Sequence, residues 1–124
     1  MDWEELKKYN KTIVTEEFKR DEKVKRDYEK YKKDIEREGK TLTDVVYEKY
    51  FKYNNNIWVL DKNLFPYELN KNIKHYVLWV RPGIEFTYDD VERILGLKDY
   101  VVFKNHPKTM SVPYIQHFHV FIKC

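Results

Sequence analysis

With 124 residues, 42% of them hydrophobic and 17% aromatic, the chain suffices for one domain with its own core, and its 3 Gly and 4 Pro exclude a fibrous or low-complexity protein. The single cysteine, Cys124, excludes a disulfide framework. The formal charge of +3 lies wholly in the last 28 residues, because residues 1–96 carry 20 basic and 20 acidic side chains while Lys98, Lys104, Lys108 and Lys123 face Asp99 alone.

The first half reads as helix. Asp2 with Glu5 three residues on is a capping-box pattern that opens a short helix to about Tyr9. Thr15 caps a longer one over residues 16–38, whose apolar positions Phe18, Val24, Tyr28, Tyr31 and Ile35 form one stripe before Gly39 stops it. The opposite face is a charge-balanced, solvated surface, and the Tyr28/Tyr31 stripe reads as core packing, not as a base-stacking platform. A third helix from Thr41 or Thr43 to Phe51 is expected to bury Leu42, Val45, Val46 and Tyr50.

After the Asn54-Asn55-Asn56 turn the period changes to that of strands. Residues 57–60 are a short strand, Phe65-Pro66-Tyr67 is a loop held by aromatics, and residues 73–81 are the best candidate for a central strand. Pro82-Gly83 breaks that strand, and Thr87 with Asp90 opens a helix over residues 88–95 that Gly96 ends. A strand over 100–104, a loop with Pro107 and Pro113, and a last strand over 115–123 complete the chain. The expectation is a single α+β domain over residues 1–124. It comprises a helical part over 1–53 with three N-terminal helices, then over 54–124 a mostly antiparallel sheet of about four strands with one inserted helix.

No apolar run approaches the roughly 18 residues of a membrane helix, and the acidic opening Met1-Asp2-Trp3-Glu4-Glu5 is unlike a signal peptide. These features point to an intracellular, cytoplasmic protein without a membrane partner. The balanced charge argues against nucleic acid, and the C-terminal excess suits a small anionic ligand. Nothing here sets the oligomeric state.

Alternation in the last strand places Phe118, Val120 and Ile122 on an apolar face and Ile115, His117, His119 and Phe121 on the other. The strand over 73–81 likewise aligns His75, Val77 and Trp79, so His75 approaches the other two rings if the strands are neighbours. Three readings stand. One imidazole acts as nucleophile or base on a phosphate, with Lys104, Asn105 and Ser111 as donors. Alternatively, His75, His117 and His119 bind a metal such as zinc, the implied cofactor in that case. In the third reading the rings are structural, satisfying nearby carbonyls in a non-enzymatic or interaction protein. His106 reads as an exposed loop residue, Glu4, Glu5, Asp89 and Asp90 as charges at helix N-termini, and Ser111 has no nucleophile-elbow context. Neither a phosphate-binding glycine loop nor a zinc-type cysteine pair is present.

Several segments together resemble an uncharacterised domain family that includes the fungal N-acetylglucosamine-induced proteins. They are Trp3-Glu4-Glu5-Leu6, Tyr31-Lys32-Lys33-Asp34-Ile35, Pro66-Tyr67, the strand with His75 and Trp79, Phe103-Lys104-Asn105, Ser111-Val112 and His117-Phe118-His119-Val120. Where that family has Trp-Pro-Tyr-Gly this chain has Phe65-Pro66-Tyr67-Glu68, and Gln116 replaces the Glu before the histidines. The order of segments from His75 to His119 also resembles the second half of the histidine-triad nucleotide hydrolases and transferases. That resemblance implies His117 as nucleophile and His119 as partner to a phosphate oxygen, with Ile115 standing at the first histidine of the triad.

Overall fold

The computed structural model describes residues 1–96 and 99–124. In chain order the elements are α1 (Trp3–Lys7), β1 (Ile13–Val14), α2 (Glu22–Arg37), α3 (Leu42–Tyr50), β2 (Trp58–Lys62), β3 (Ile73–Val80), α4 (Tyr88–Leu95), β4 (Tyr100–Asn105) and β5 (His117–Lys123), with one 3-10 turn at Pro107–Thr109. The strands form one sheet in the order β1-β4-β5-β3-β2. β5 therefore occupies the centre, while β3 lies one place out between β5 and β2. All pairings are antiparallel except β1 with β4, which makes the sheet mixed. No helix among the described residues is long and apolar enough to cross a membrane.

The α+β class stands, but the arrangement among the described residues is four helices with five strands, and the first half is not purely helical. β1 interrupts it. Ile13 and Val14 pair with Lys104 and Asn105, the Lys104 and His106 amides donate to the Thr12 and Val14 carbonyls, and Val14 is buried. Two residues carry no period, so such a strand is set by its partner alone.

The second helix begins at Glu22 with Asp21 as its cap, not at Thr15. Residues 15–21 run as non-helical chain because tertiary contacts take their groups. The Lys19 carbonyl accepts the Glu68 amide at 2.8 Å, and Phe18 packs on Tyr9, Tyr67 and Phe103. The six-residue step from Phe18 to Val24 is the point at which the helical stripe loses its period. In α3, Leu42, Val45, Val46 and Tyr50 are half-buried instead of buried, since this helix covers only a rim of the sheet. The last strand starts at His117, leaving Ile115 buried just ahead of it.

One sheet face carries Leu78, Val80, Val102, Phe118 and Val120 and is sealed by Val91 and Leu95 of α4. The other face is covered at its two ends by different groups. Leu6, Val14, Tyr67 and neighbours pack on Phe121, Phe103 and Ile73 at one end. Phe51 and Val112 pack on Ile115 at the other, with Leu42, Val46, Tyr50 and Trp79 around them. Along this face the residues run Ile115, His117, His119, Phe121. The apolar ends are thus roofed, and the two histidines fall in the gap between them.

Candidate active site

That gap is a cleft of about 620 Å³ with His117 and His119 on its floor. α2 and α3 contribute Tyr28, Tyr31 and Tyr50 to the walls, and the sheet and its loops contribute Phe65, Tyr67 and Trp79. The aromatic residues of α2 meet Phe65 in the cleft wall, Tyr28 stacked on it at 4.8 Å and Tyr31 tilted against it at 5.1 Å. The expected tyrosine core stripe is therefore the lining of a cavity.

The register β3–β5 brings the three histidines into one patch, as the alternation requires, with His75 opposite Phe121 and Trp79 opposite His117. All three are buried, at 5–6% exposure. Their nitrogens have different fates. The Tyr67 amide donates to His75 Nδ1 at 3.2 Å, which fixes the proton of a neutral ring on Nε2. That Nε2–H faces His119 Nδ1 at 2.8 Å and donates to it. His119 must then carry its own proton on Nε2, which lies 2.9 Å from the Asn105 side-chain amide. Asn105 presents its Nδ2 there, so this contact takes up the His119 proton only with the carboxamide turned over to bring its oxygen to Nε2. Asn63, fixed by the Phe65 amide donating to its Oδ1, turns its Nδ2 to His75 Nε2 at 3.3 Å, so a second donor faces this nitrogen beside the His119 contact. The result is a connected series of contacts from Tyr67 through His75 and His119 to Asn105.

His117 is placed differently. Its Nδ1–H donates to the Ile115 carbonyl at 2.8 Å, and its ring packs on Trp79 at 4.7 Å. Nε2 is left as an unshared lone pair. It has no protein partner, and because no buried side-chain polar atom among the described residues lacks one, this atom reaches the cleft surface. Burial holds all three rings neutral. It pushes His75 down to about 3, lowers His119 well below the ordinary value with help from the neighbouring His75, His117 and Arg20 charges, and lowers His117 against the opposing pull of the Ile115 carbonyl. His117 Nε2 is thus an unprotonated base at neutral pH.

The remaining expected residues divide. Asn105 lines the cleft and holds His119. Ser111 lies on the rim, its Oγ 2.5 Å from the Tyr28 hydroxyl, so it ties α2 to the loop before β5. His75 sits behind His119, outside the cleft wall. Lys104 does not belong to the site: it alternates with Phe103 and Asn105 along β4 and so projects to the opposite face, its Nζ 5.7 Å from the Phe118 and Tyr88 rings. The three imidazoles do not converge on a metal position, because His75 and His119 turn their nitrogens on each other. No cluster of His, Cys, Asp or Glu among the described residues has metal-binding geometry. Gln116 points away as well, clamping the Phe86 amide and carbonyl at 2.7 Å each, so it neither orients an imidazole nor faces the cleft.

The cations of the cleft come from the helical half and, with Lys62, from β2, not from the C-terminal excess. Six cationic side chains, Arg20 and Lys25 among them, line it against four glutamates. Arg20 is the residue that sequence reasoning passed over. Its Nε donates to the Phe65 carbonyl at 2.8 Å, and its guanidinium lies 5.1 Å from the Tyr28 ring and 4.9 Å from that of Tyr67. The available signal was the break in helical period around it.

Fold and site together define an α+β protein with a mixed five-stranded sheet and a histidine-floored cleft between two apolar caps. Residues 2–96 match the model of a family described as a protein of unknown function, DUF3605, and the chain belongs to that family. The match takes in the walls of the cleft and ends before Asn105, Ser111, His117 and His119. The chain is similar to a solved structure described as the crystal structure of HTC1, with a TM-score of 0.66 and 18% identity over 86% of this chain and 76% of that one. At that identity the likeness is one of fold. No curated protein matches the chain.

Proposed function

We propose that the cleft binds a small phosphate-bearing molecule of nucleotide size and that His117 Nε2 is its nucleophile or general base. The carrying observation is the free lone pair of His117 on the cleft floor, held in one tautomer by the Ile115 carbonyl. A volume of about 620 Å³, aromatic walls and a surplus of cations suit a planar ring joined to an anion. The lone pair supports two steps: taking a proton from an attacking water, or attacking phosphorus to form a P–N bond as the bond to the leaving oxygen breaks.

The order of segments supports this reading. β3 with His75, α4, β4 ending in Asn105, the Ser111-Val112 loop and β5 follow the order of the histidine-triad nucleotide hydrolases and transferases. Where that family has its first histidine, Ile115 supplies a backbone carbonyl instead. His119 departs from the role this likeness implies: both of its nitrogens are engaged, so it positions the floor and has no free atom for a phosphate oxygen. The resemblance to the fungal N-acetylglucosamine-induced proteins carries no further chemistry.

A second reading, in which the histidines are structural, rests on the saturation of His75 and His119. Imidazole NMR separates the two. Titration with AMP is expected to shift the His117 Nε2 resonance while His75 moves little. No movement of His117 at millimolar AMP sinks the binding reading.

A further inference from the structure

The ordinary fate of a surface arginine is a flexible stem and a carboxylate neighbour. Arg20 has neither. Its Nε is committed to the Phe65 carbonyl, and its plane is held against Tyr28 from α2 and Tyr67 from the loop before β3. Of the four glutamates that line the cleft with it, Glu16 accepts from the Tyr9 hydroxyl and Glu29 pairs with Lys32, and none of the four is joined to Arg20. Among the described residues no carboxylate pairs with Arg20, and its two terminal amino groups make no hydrogen bond. Arg20 is one of the residues that line the cleft.

We infer that Arg20 is the group that recognises the ligand's phosphate, gripping two of its oxygens with the two terminal amino groups; this rests on the phosphate reading of the cleft given above. A guanidinium fixed at Nε presents its remaining donors as a fork, which matches two phosphate oxygens in one plane. Two aromatic faces hold that fork rigid before the ligand arrives, so little freedom is lost on binding. Arg20 also contributes to the lowering of His75 and His119, which places its charge near the floor. The ligand class is accordingly a phosphate monoester on an aromatic-bearing body, in which phosphate supplies the selectivity and the ring supplies contact area along the tyrosine and tryptophan walls.

The test is calorimetric titration of the full chain and its Arg20→Ala and Arg20→Lys variants with AMP and with adenosine. Expected is a loss of AMP affinity of about 10- to 100-fold in Arg20→Ala, the range for a charge-assisted hydrogen-bonded contact. Arg20→Lys is expected to recover little of it, because an ammonium has no fork, and adenosine affinity is expected to stay as in the unaltered chain. Arg20→Ala binding AMP as tightly as the unaltered chain overturns the assignment of Arg20 alone. An unaltered chain that binds AMP no better than adenosine overturns the phosphate reading itself. Retained adenosine affinity in both variants guards against a loss of fold being taken for a loss of contact.

Discussion

Two histidines two residues apart on one strand do different work because of what meets their Nδ1. For His117 it is the Ile115 carbonyl, which leaves Nε2 open; for His119 it is another imidazole, which closes the ring into a chain. The pH dependence of stability follows. The folded His75 binds a proton only near pH 3, whereas in the unfolded chain it does so near 6.5. Above pH 6.5 neither state is protonated and stability is level. Below it the unfolded state takes up the proton first, so stability falls as pH drops, by about 1.4 kcal/mol per pH unit for this ring down to pH 3. His117 and His119 shift the same way and steepen the fall. Thermal unfolding between pH 8 and 5 should show a plateau and then a decline beginning near 6.5, with a shallower decline in His75→Gln. A melting temperature independent of pH over that range would contradict neutral buried rings. The shared face of these residues was legible in the sequence, since a period of two needs no neighbour. The same period already separates Lys104 from Asn105, its neighbour in β4; which of the two joins the histidines depends on the register of β4 against β5, which composition does not reveal.

At the level of elements, the start of α1 at its Asp2 cap and both ends of α4 were read to the residue, because short-range chemistry sets them. α4 begins at a reciprocal pair, with the Thr87 hydroxyl accepting the Asp90 amide and the Asp90 carboxylate accepting the Thr87 amide, and ends at Gly96 with φ +69°. Thr87→Ala removes one side of that pair and should cost about 1 kcal/mol, within the range of 0.5–2 for lost caps. Because Val91 and Leu95 of α4 seal one sheet face, the loss should appear as a lower melting temperature with far-ultraviolet circular dichroism retained. An unchanged melting temperature would mean that Asp90 alone suffices. Thr15 offered a capping hydroxyl without an acid three residues on and was overruled, because Phe18 and Lys19 are held by Phe103, Tyr67 and Glu68, partners remote in sequence. Arg20 went unread on the same account: its significance comes from Phe65 and Tyr67, more than forty residues away.

For the molecule as a whole, stability is concentrated in β5, which is bonded on both sides and packed on both faces. Native-state hydrogen exchange should be slowest for the amides of Phe118 to Phe121, and faster by orders of magnitude in β1 and on the outer edge of β2. Equal protection across all five strands would show that the sheet opens only as a unit. The central position of β5 has a consequence for how such a chain comes into being. The strand on which β3 and β4 both depend is the last of the five to be synthesised, so the earlier four leave the ribosome without a common partner. The β2–β3 hairpin can form early, but β4 with its parallel companion β1 must wait, and the histidine floor is completed at the same moment as the sheet. A nascent chain of this kind brings His117 and His119 between β3 and β4 only once β5 has docked, so four strands without the fifth have no histidine pair on the cleft floor.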